Sequence, residues 1–324
     1  MFDSELFTSI PALVIYGFIS AVVIIVIFKL CLKATLNGKV VLITGGNSGI
    51  GLETARDLAK RGARVIIASR DQKKSAQAVE DIIKTTGNKN VEYRYLDMAK
   101  FSNIREFAED FNRSVDRLDI LINNAGCAGL NHNLNEDGID IVMQINYFGP
   151  FLLTNLLLKK LIDSRPSRIV IVSSLAHIVS QFDVEDIKGS KKIHYFRNYA
   201  NSKLCNILWT KALARELPDG VTANALHPGV VETNIFSRAG PILSKIIEYL
   251  AGSIFKTTEE GAQTSIHLAV AEKLAGKSGG YYTDCKRSKE SYEARDPEMI
   301  DKVWCKSLVI TGSEFKLWEN KLRY

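Results

Sequence analysis

The chain has 324 residues, 46% of them hydrophobic and 24% charged, with a formal net charge of +6. That balance excludes a mainly disordered chain, and the basic residues form no run or stripe of the kind a nucleic-acid partner needs. Five cysteines, Cys31, Cys127, Cys205, Cys285 and Cys305, make neither a C-x-x-C pair nor a metal-ligand spacing, which points to a reducing compartment and to no metal.

From Leu6 to Phe28 no residue is charged, and Ile10 to Phe28 is long enough to cross a bilayer as a helix. Asp3 and Glu5 precede the apolar run, where a cleaved signal peptide would carry basic residues. Residues 1–33 are therefore expected to be an uncleaved membrane anchor, in the endoplasmic reticulum or on a lipid droplet. A hairpin or interfacial anchor would leave a similar pattern. Lys29, Lys33 and Lys39 flank only the C-terminal side, which places the rest of the chain in the cytoplasm.

After this segment, Val40–Thr44 is an apolar run of strand length. It leads into the turn Thr44-Gly45-Gly46-Asn47-Ser48-Gly49-Ile50-Gly51, a helical pattern to Arg61 and a second strand over Ala63–Ser69. Helices and strands then alternate. Helices are expected near 72–86, 103–114, 136–162 and 196–217. Strands are expected near 91–96, 118–123, 168–173 and 221–226. The pattern specifies an α/β chain, with a doubly wound parallel sheet forming a single catalytic domain over 36–324. Glycines in the first turn let a pyrophosphate approach the backbone and sit on a helix N-terminus. The second strand ends on Ser69-Arg70, where a site for NAD usually carries a carboxylate. Arg70 can clamp a 2′-phosphate, so NADP(H) is the expected cofactor, and Asp71 is expected to cap the next helix.

Tyr199 and Lys203 are four apart in a helical pattern and share a face. An ammonium beside a phenol favours the phenolate, which would yield an acid/base usable near neutral pH. Ser173 and Ser174 stand at the C-terminal end of a strand, where open α/β sheets bind ligands. Asn123-Asn124-Ala125-Gly126 ends another strand, and Asn146 lies in the helix that follows.

With these motifs in this order, and His227-Pro228-Gly229 after them, residues 36–285 resemble the short-chain dehydrogenase/reductase family. The resemblance implies a Rossmann-type fold and a catalytic tetrad of Asn146, Ser174, Tyr199 and Lys203. It implies that Asp97 binds the adenine edge and Asn124 lies by the adenine ribose. Pro228, Gly229, Val230 and Thr233 would lie by the nicotinamide, and Asn146 would hold a water linking Lys203 to solvent. The 25 positions from Ser174 to Tyr199, and Tyr199-x-x-Ser202-Lys203-Leu204-x-Asn206, look like the membrane-anchored retinol dehydrogenase subgroup. That subgroup pattern assigns the tetrad serine to Ser174 rather than Ser173.

Between about 235 and 258, apolar pairs such as Ile246-Ile247 and Leu250-Ala251 recur every four residues, as in an amphipathic helix. Such a stripe is either core-facing or an apolar lid over the substrate. The expected activity is NADP(H)-dependent interconversion of a lipophilic carbonyl and alcohol, retinal/retinol foremost. The alternatives are reduction of steroid or lipid-derived carbonyls, and a non-catalytic membrane or lipid-droplet scaffold. A homo-oligomer is compatible with the sequence.

Overall fold

The computed structural model describes residues 35–192, 194–229, 231 and 256–313. The chain parts into two units between Thr35 and Leu36, and the described residues belong almost wholly to the second. The expected membrane anchor, Val230, Thr233 and nearly all of the 235–258 stripe lie outside the described residues.

In chain order the elements are β1 (Val40–Thr44), α1 (Gly49–Lys60), β2 (Arg64–Ser69), α2 (Gln72–Thr86), β3 (Val91–Tyr95), α3 (Phe101–Ser114) and β4 (Ile120–Asn123). They continue with α4 (Ile141–Asp163), β5 (Ser167–Val172), α5 (Tyr195–Glu216), β6 (Val221–His227), α6 (Thr258–Val270), β7 (Tyr281–Thr283), β8 (Lys286–Arg287) and α7 (Pro297–Thr311). The strands form one sheet in the order β3-β2-β1-β4-β5-β6-β7-β8, parallel throughout except for the antiparallel β7–β8 pair. The order reverses between β1 and β4, the position where doubly wound folds open a crevice at the strands' C-terminal ends.

Both faces of this sheet are covered, which is why β1 reads as a continuous apolar run with every residue buried. Alternate residues enter different cores. Leu42, Ile169 and Ile171 pack with Phe107, Phe111 and the α4 and α5 side chains, whereas Val41, Ile43, Val170 and Val172 pack with Leu58, Ile82 and Leu268. The first core centres on Trp209, whose ring centroid lies 5.6 Å from Phe151 and 6.3 Å from Tyr147. Such aromatic contacts each add about 0.5–1.5 kcal/mol beyond the apolar area they bury.

Local chemistry sets the helix ends. Asp71 accepts a hydrogen bond from Lys74 N–H at the start of α2, and Gly87 closes that helix at φ +73°. Thr257 and Glu260 form a reciprocal capping box on α6. Helix α4 begins at Ile141 and not near 136. Asp140 accepts from Val142 and Met143 N–H there, while Gly138 at φ +69° holds the preceding residues in a turn. This helix is long and apolar enough to cross a membrane, yet 78% of its most apolar stretch is buried inside the domain, as befits a core helix.

At the opposite end of the sheet from the crevice, Asp119 is 2% exposed and accepts from Lys39 Nζ (2.8 Å), Arg117 Nη2 (2.6 Å) and Val40 N–H (2.9 Å). Burial pushes its carboxyl up, but these hydrogen bonds outweigh burial and hold it below the usual carboxylate range.

Candidate active site

A cleft of about 1100 Å³ opens over the C-terminal ends of the parallel strands. Its walls include Gly45, Asn47, Ser48, Gly49, Ile50 and Gly51 from the first turn, and Arg70, Asp97, Asn124, Ala125 and Gly126 from the next strand ends. Ser174, Tyr199, Lys203, Pro228 and Gly229 line the same space. Widely separated stretches of sequence thus converge because parallel strands deliver all their C-termini to one edge.

The first turn is built to leave backbone exposed. Gly45 has φ +66° and Gly49 φ +54°, a conformation that side chains disfavour, and a Cβ on Gly49 would meet nothing within 4 Å. On Gly51 a Cβ would lie 2.4 Å from Gly45 O, so α1 can approach the turn only with glycine there. The Ser48 side chain makes no capping bond, which leaves the first-turn N–H groups of α1 available to an anion. Thr44 lies beneath the cleft: its Oγ1 accepts from both Asn124 and Ala125 N–H at 3.0 Å. Asn124 Nδ2 in turn donates to Thr44 O at 2.9 Å. This cradle, open to the cleft and lined with unengaged donors, fits the pyrophosphate of a dinucleotide. Arg70 is exposed on the wall one residue past β2, and Asp97 Oδ1 accepts from Ala99 N–H.

Helix α5 carries Tyr199 and Lys203 into the cleft, with the ammonium 5.6 Å from the phenol ring centroid. Both are almost fully buried. Lys203 Nζ donates to Val172 O at 3.1 Å, and burial lowers its pKa to about 8, opposed weakly by Cys127. Tyr199 differs from the expectation of a lowered phenol. Burial raises its pKa, a hydrogen bond with the Ser174 side chain opposes this, and Cys127 adds to the rise. Desolvation of the phenolate therefore outweighs the Ser174 hydrogen bond in the chain by itself.

The two serines have distinct surroundings. Ser173 is buried, with its hydroxyl donating to Lys203 O at 2.6 Å, whereas Ser174 faces the cleft and caps the 3₁₀ turn Leu175–Val179 by accepting from Ala176 N–H. Asn146 is 1% exposed and sits behind the cleft wall in a π-turn, Gln144–Phe148, within α4. Its amide accepts from Cys127 N–H (2.8 Å) and donates to Cys127 O (2.9 Å) and Ser202 Oγ (3.1 Å). The widened turn frees Asn146 O, which accepts from Asn206 Nδ2 at 3.2 Å. Asn206 also reaches Val172 O, the carbonyl that holds Lys203. Ser202 and Asn206 are thus a brace that residue roles alone do not announce, although they lie three and seven positions past Tyr199 on one helix.

A parallel sheet with a glycine turn at its switch point and a buried tyrosine–lysine pair at the same edge defines an oxidoreductase of the nicotinamide-nucleotide type. The chain matches the short chain dehydrogenase family over residues 39–241 and belongs to that family. It is 44% identical over 288 residues to retinol dehydrogenase 13 of Homo sapiens, covering 87% of each chain. To retinol dehydrogenase 12 of Mus musculus it is 44% identical over 283 residues, covering 87% of this chain and 88% of that protein. Among solved structures, an uncharacterized protein from Mycobacterium paratuberculosis superposes with a TM-score of 0.71 at 31% identity, over 87% of this chain and 96% of that one.

Proposed function

We propose that the chain is an NADP(H)-dependent oxidoreductase of the membrane surface that interconverts a lipophilic carbonyl and its alcohol, retinal and retinol foremost. The observation that carries the reading is the convergence of Tyr199, Lys203 and the Ser174 hydroxyl on the cleft that also holds the open glycine cradle. The similarity to retinol dehydrogenases supports the retinoid. Arg70, one residue past β2 on the cleft wall, supports the 2′-phosphate, while the Asp71 carboxylate beside it accepts from Lys74 N–H as a helix cap.

In this reading Asn47, Ser48, Gly49, Ile50 and Gly51 hold the pyrophosphate, while Asp97 and Asn124 lie along the adenosine half. Ala125, Gly126, Pro228 and Gly229, with Val230 and Thr233 from outside the described residues, flank the nicotinamide half. When bound, NADPH supplies the hydride for the carbonyl carbon. Ser174 Oγ donates a hydrogen bond to the carbonyl oxygen and sets the substrate's orientation. Tyr199 passes its proton to that oxygen as the alcohol forms. The phenol is protonated at neutral pH, as an acid in the reducing direction must be, and the Ser174 hydrogen bond opposes the rise in pKa that burial brings. The Lys203 ammonium stabilises the phenolate left behind and would hold the ribose. Asn146 acts through the Cys127 backbone and Ser202, keeping the loop and α5 in register. The uncharged segment 6–28 anchors this domain to the endoplasmic reticulum or a lipid droplet, with the catalytic face in the cytoplasm.

The test is NADPH oxidation by detergent-solubilised protein with all-trans-retinal, beside NADH and Tyr199→Phe. Turnover with NADPH should fall by a factor of about 100 to 10,000 in the variant while nucleotide binding persists. Tight NADPH binding without turnover would redirect the substrate to steroid or lipid-derived carbonyls. Neither binding nor turnover would favour a scaffold.

A further inference from the structure

The peptide bond joining Ser174 to Leu175 has both polar atoms held by histidines from different elements. His177 Nδ1 lies 2.7 Å from Ser174 O, and Leu175 N–H donates to His227 Nδ1 at 3.2 Å. A third bond fixes the proton on the first ring, because Ser291 N–H donates to His177 Nε2 at 3.2 Å. A carbonyl oxygen can only accept and an amide N–H can only donate. His177 must therefore be neutral with its proton on Nδ1. His227 must present a bare Nδ1, with its proton on Nε2.

We propose that His177 and His227 are a pair of positioning residues, neutral and in opposite tautomers, that clamp the Ser174–Leu175 peptide and so aim the Ser174 hydroxyl at the substrate carbonyl. The proposal rests on the role given to Ser174 above. His177 is 1% exposed, His227 9%, and the His177 ring stands edge-on to Tyr281 at 5.1 Å, so neither ring has room to turn. Protonating His177 at Nε2 would set an N–H against the Ser291 N–H. Protonating His227 at Nδ1 would do the same against Leu175 N–H. The surroundings keep both rings neutral. Burial is the main cause at each, lowering His177 below 6.5 and His227 to about 4. Ser174 O, Glu290 and Glu293 act in the opposite direction on His177. Lys256 pushes His227 further down and Asp284 opposes it. The clamp also ties the cleft to the segment after β8, since Ser291 belongs to the C-terminal part of the chain.

The experiment has two arms, both on the full-length protein in detergent. In the first, the histidine ring nitrogens are read by ¹⁵N NMR without substrate. His177 should show the Nδ1–H form and His227 the Nε2–H form, unchanged between about pH 6 and pH 8. A mixture of tautomers, or titration of either ring near 6.5, would overturn the proposal whether or not the protein turns over retinal. In the second, His→Leu and His→Asn variants are compared at each position, since the Asn amide can place a donor or an acceptor where Nδ1 lies. The Leu variants should lose about 10- to 100-fold in kcat, with KM for NADPH within about twofold, and the Asn variants should regain most of it. Leu variants with wild-type kcat, a rise in KM with kcat unchanged, or no rescue by Asn in folded protein would each refute it. Absence of turnover in the wild type would defeat the reading of the site and leave the ring-nitrogen result to decide the clamp.

Discussion

Replacing Lys203 by Met should abolish carbonyl reduction and yet stabilise the nucleotide-free protein. The lysine is almost fully buried, and burial moves its pKa from 10.5 to about 8. At about 1.36 kcal/mol per pH unit, the charged form is disfavoured by roughly 3 kcal/mol in the fold. The hydrogen bond to Val172 O offsets about 1 kcal/mol of any gain from removing the charge. The carbonyl itself is not orphaned by the change, because Asn206 Nδ2 still donates to it. Met fills a similar volume with apolar atoms, so a net gain of about 2 kcal/mol is expected at pH 7. The sign with pH follows from linkage. The unfolded chain binds the proton more tightly than the fold, so wild-type stability is reduced below about pH 8 and climbs as pH rises toward 10.5. Urea unfolding at pH 7 and near pH 10, without nucleotide, reads both effects. The variant should be the more stable at pH 7, with the gap closing at high pH. A variant less stable than wild type by more than about 1 kcal/mol would refute the idea that this charge is held at a cost.

Other perturbations address separate parts of the molecule. Gly51→Ala puts a methyl group 2.4 Å from Gly45 O, so NADPH affinity measured by fluorescence titration should fall at least about tenfold, with a lower melting temperature. Arg70→Ser should weaken NADPH by roughly 10- to 100-fold and leave NADH little changed, and equal effects on the two would remove Arg70 from the 2′-phosphate. Asp119→Ala leaves Val40 N–H without its partner while Lys39 and Arg117, both partly exposed, turn to solvent, and should cost about 1–3 kcal/mol without altering KM. Because the Asp119 carboxyl is held below its usual range, its contribution is present above the unfolded pKa and drains away as pH falls below it, a slope that calorimetry should lose in the variant.

Much of the sheet is legible from residue pattern alone, since strands buried on both faces carry their own apolar signature, as β1 and β5 do. The cleft is legible for a related reason: glycine turns and strand-end polar residues are local features, and parallel topology then gathers them. What pattern does not convey is the burial of polar side chains. The direction of the Tyr199 shift depends on how little solvent reaches the phenol, which spacing along a helix cannot report. The distinction between Ser173 and Ser174 likewise hangs on which hydroxyl meets Lys203 O, a contact across 30 positions. Elements β7, β8, α6 and α7 escape the alternation of strand and helix because they come after the last long strand, although Thr257-x-x-Glu260 and Asp296-Pro297 mark two of their starts. Residue type does not tell what Asn206 and His177 do here, because their importance comes from the carbonyls they reach.

The polarity of the sheet has a consequence for how such a chain can change over generations. Among the described residues, those lining the cleft stand at one edge, whereas the Asp119 ion cluster stands at the other, a full strand length away. Substitutions on the cleft wall can alter which molecule is accepted while the Asp119 cluster stays out of their reach. Conversely, a gain or loss of endurance at Asp119 leaves the choice of substrate untouched. New specificities can therefore accumulate on this scaffold without disturbing that distant cluster, so its contribution to the fold is kept through each change.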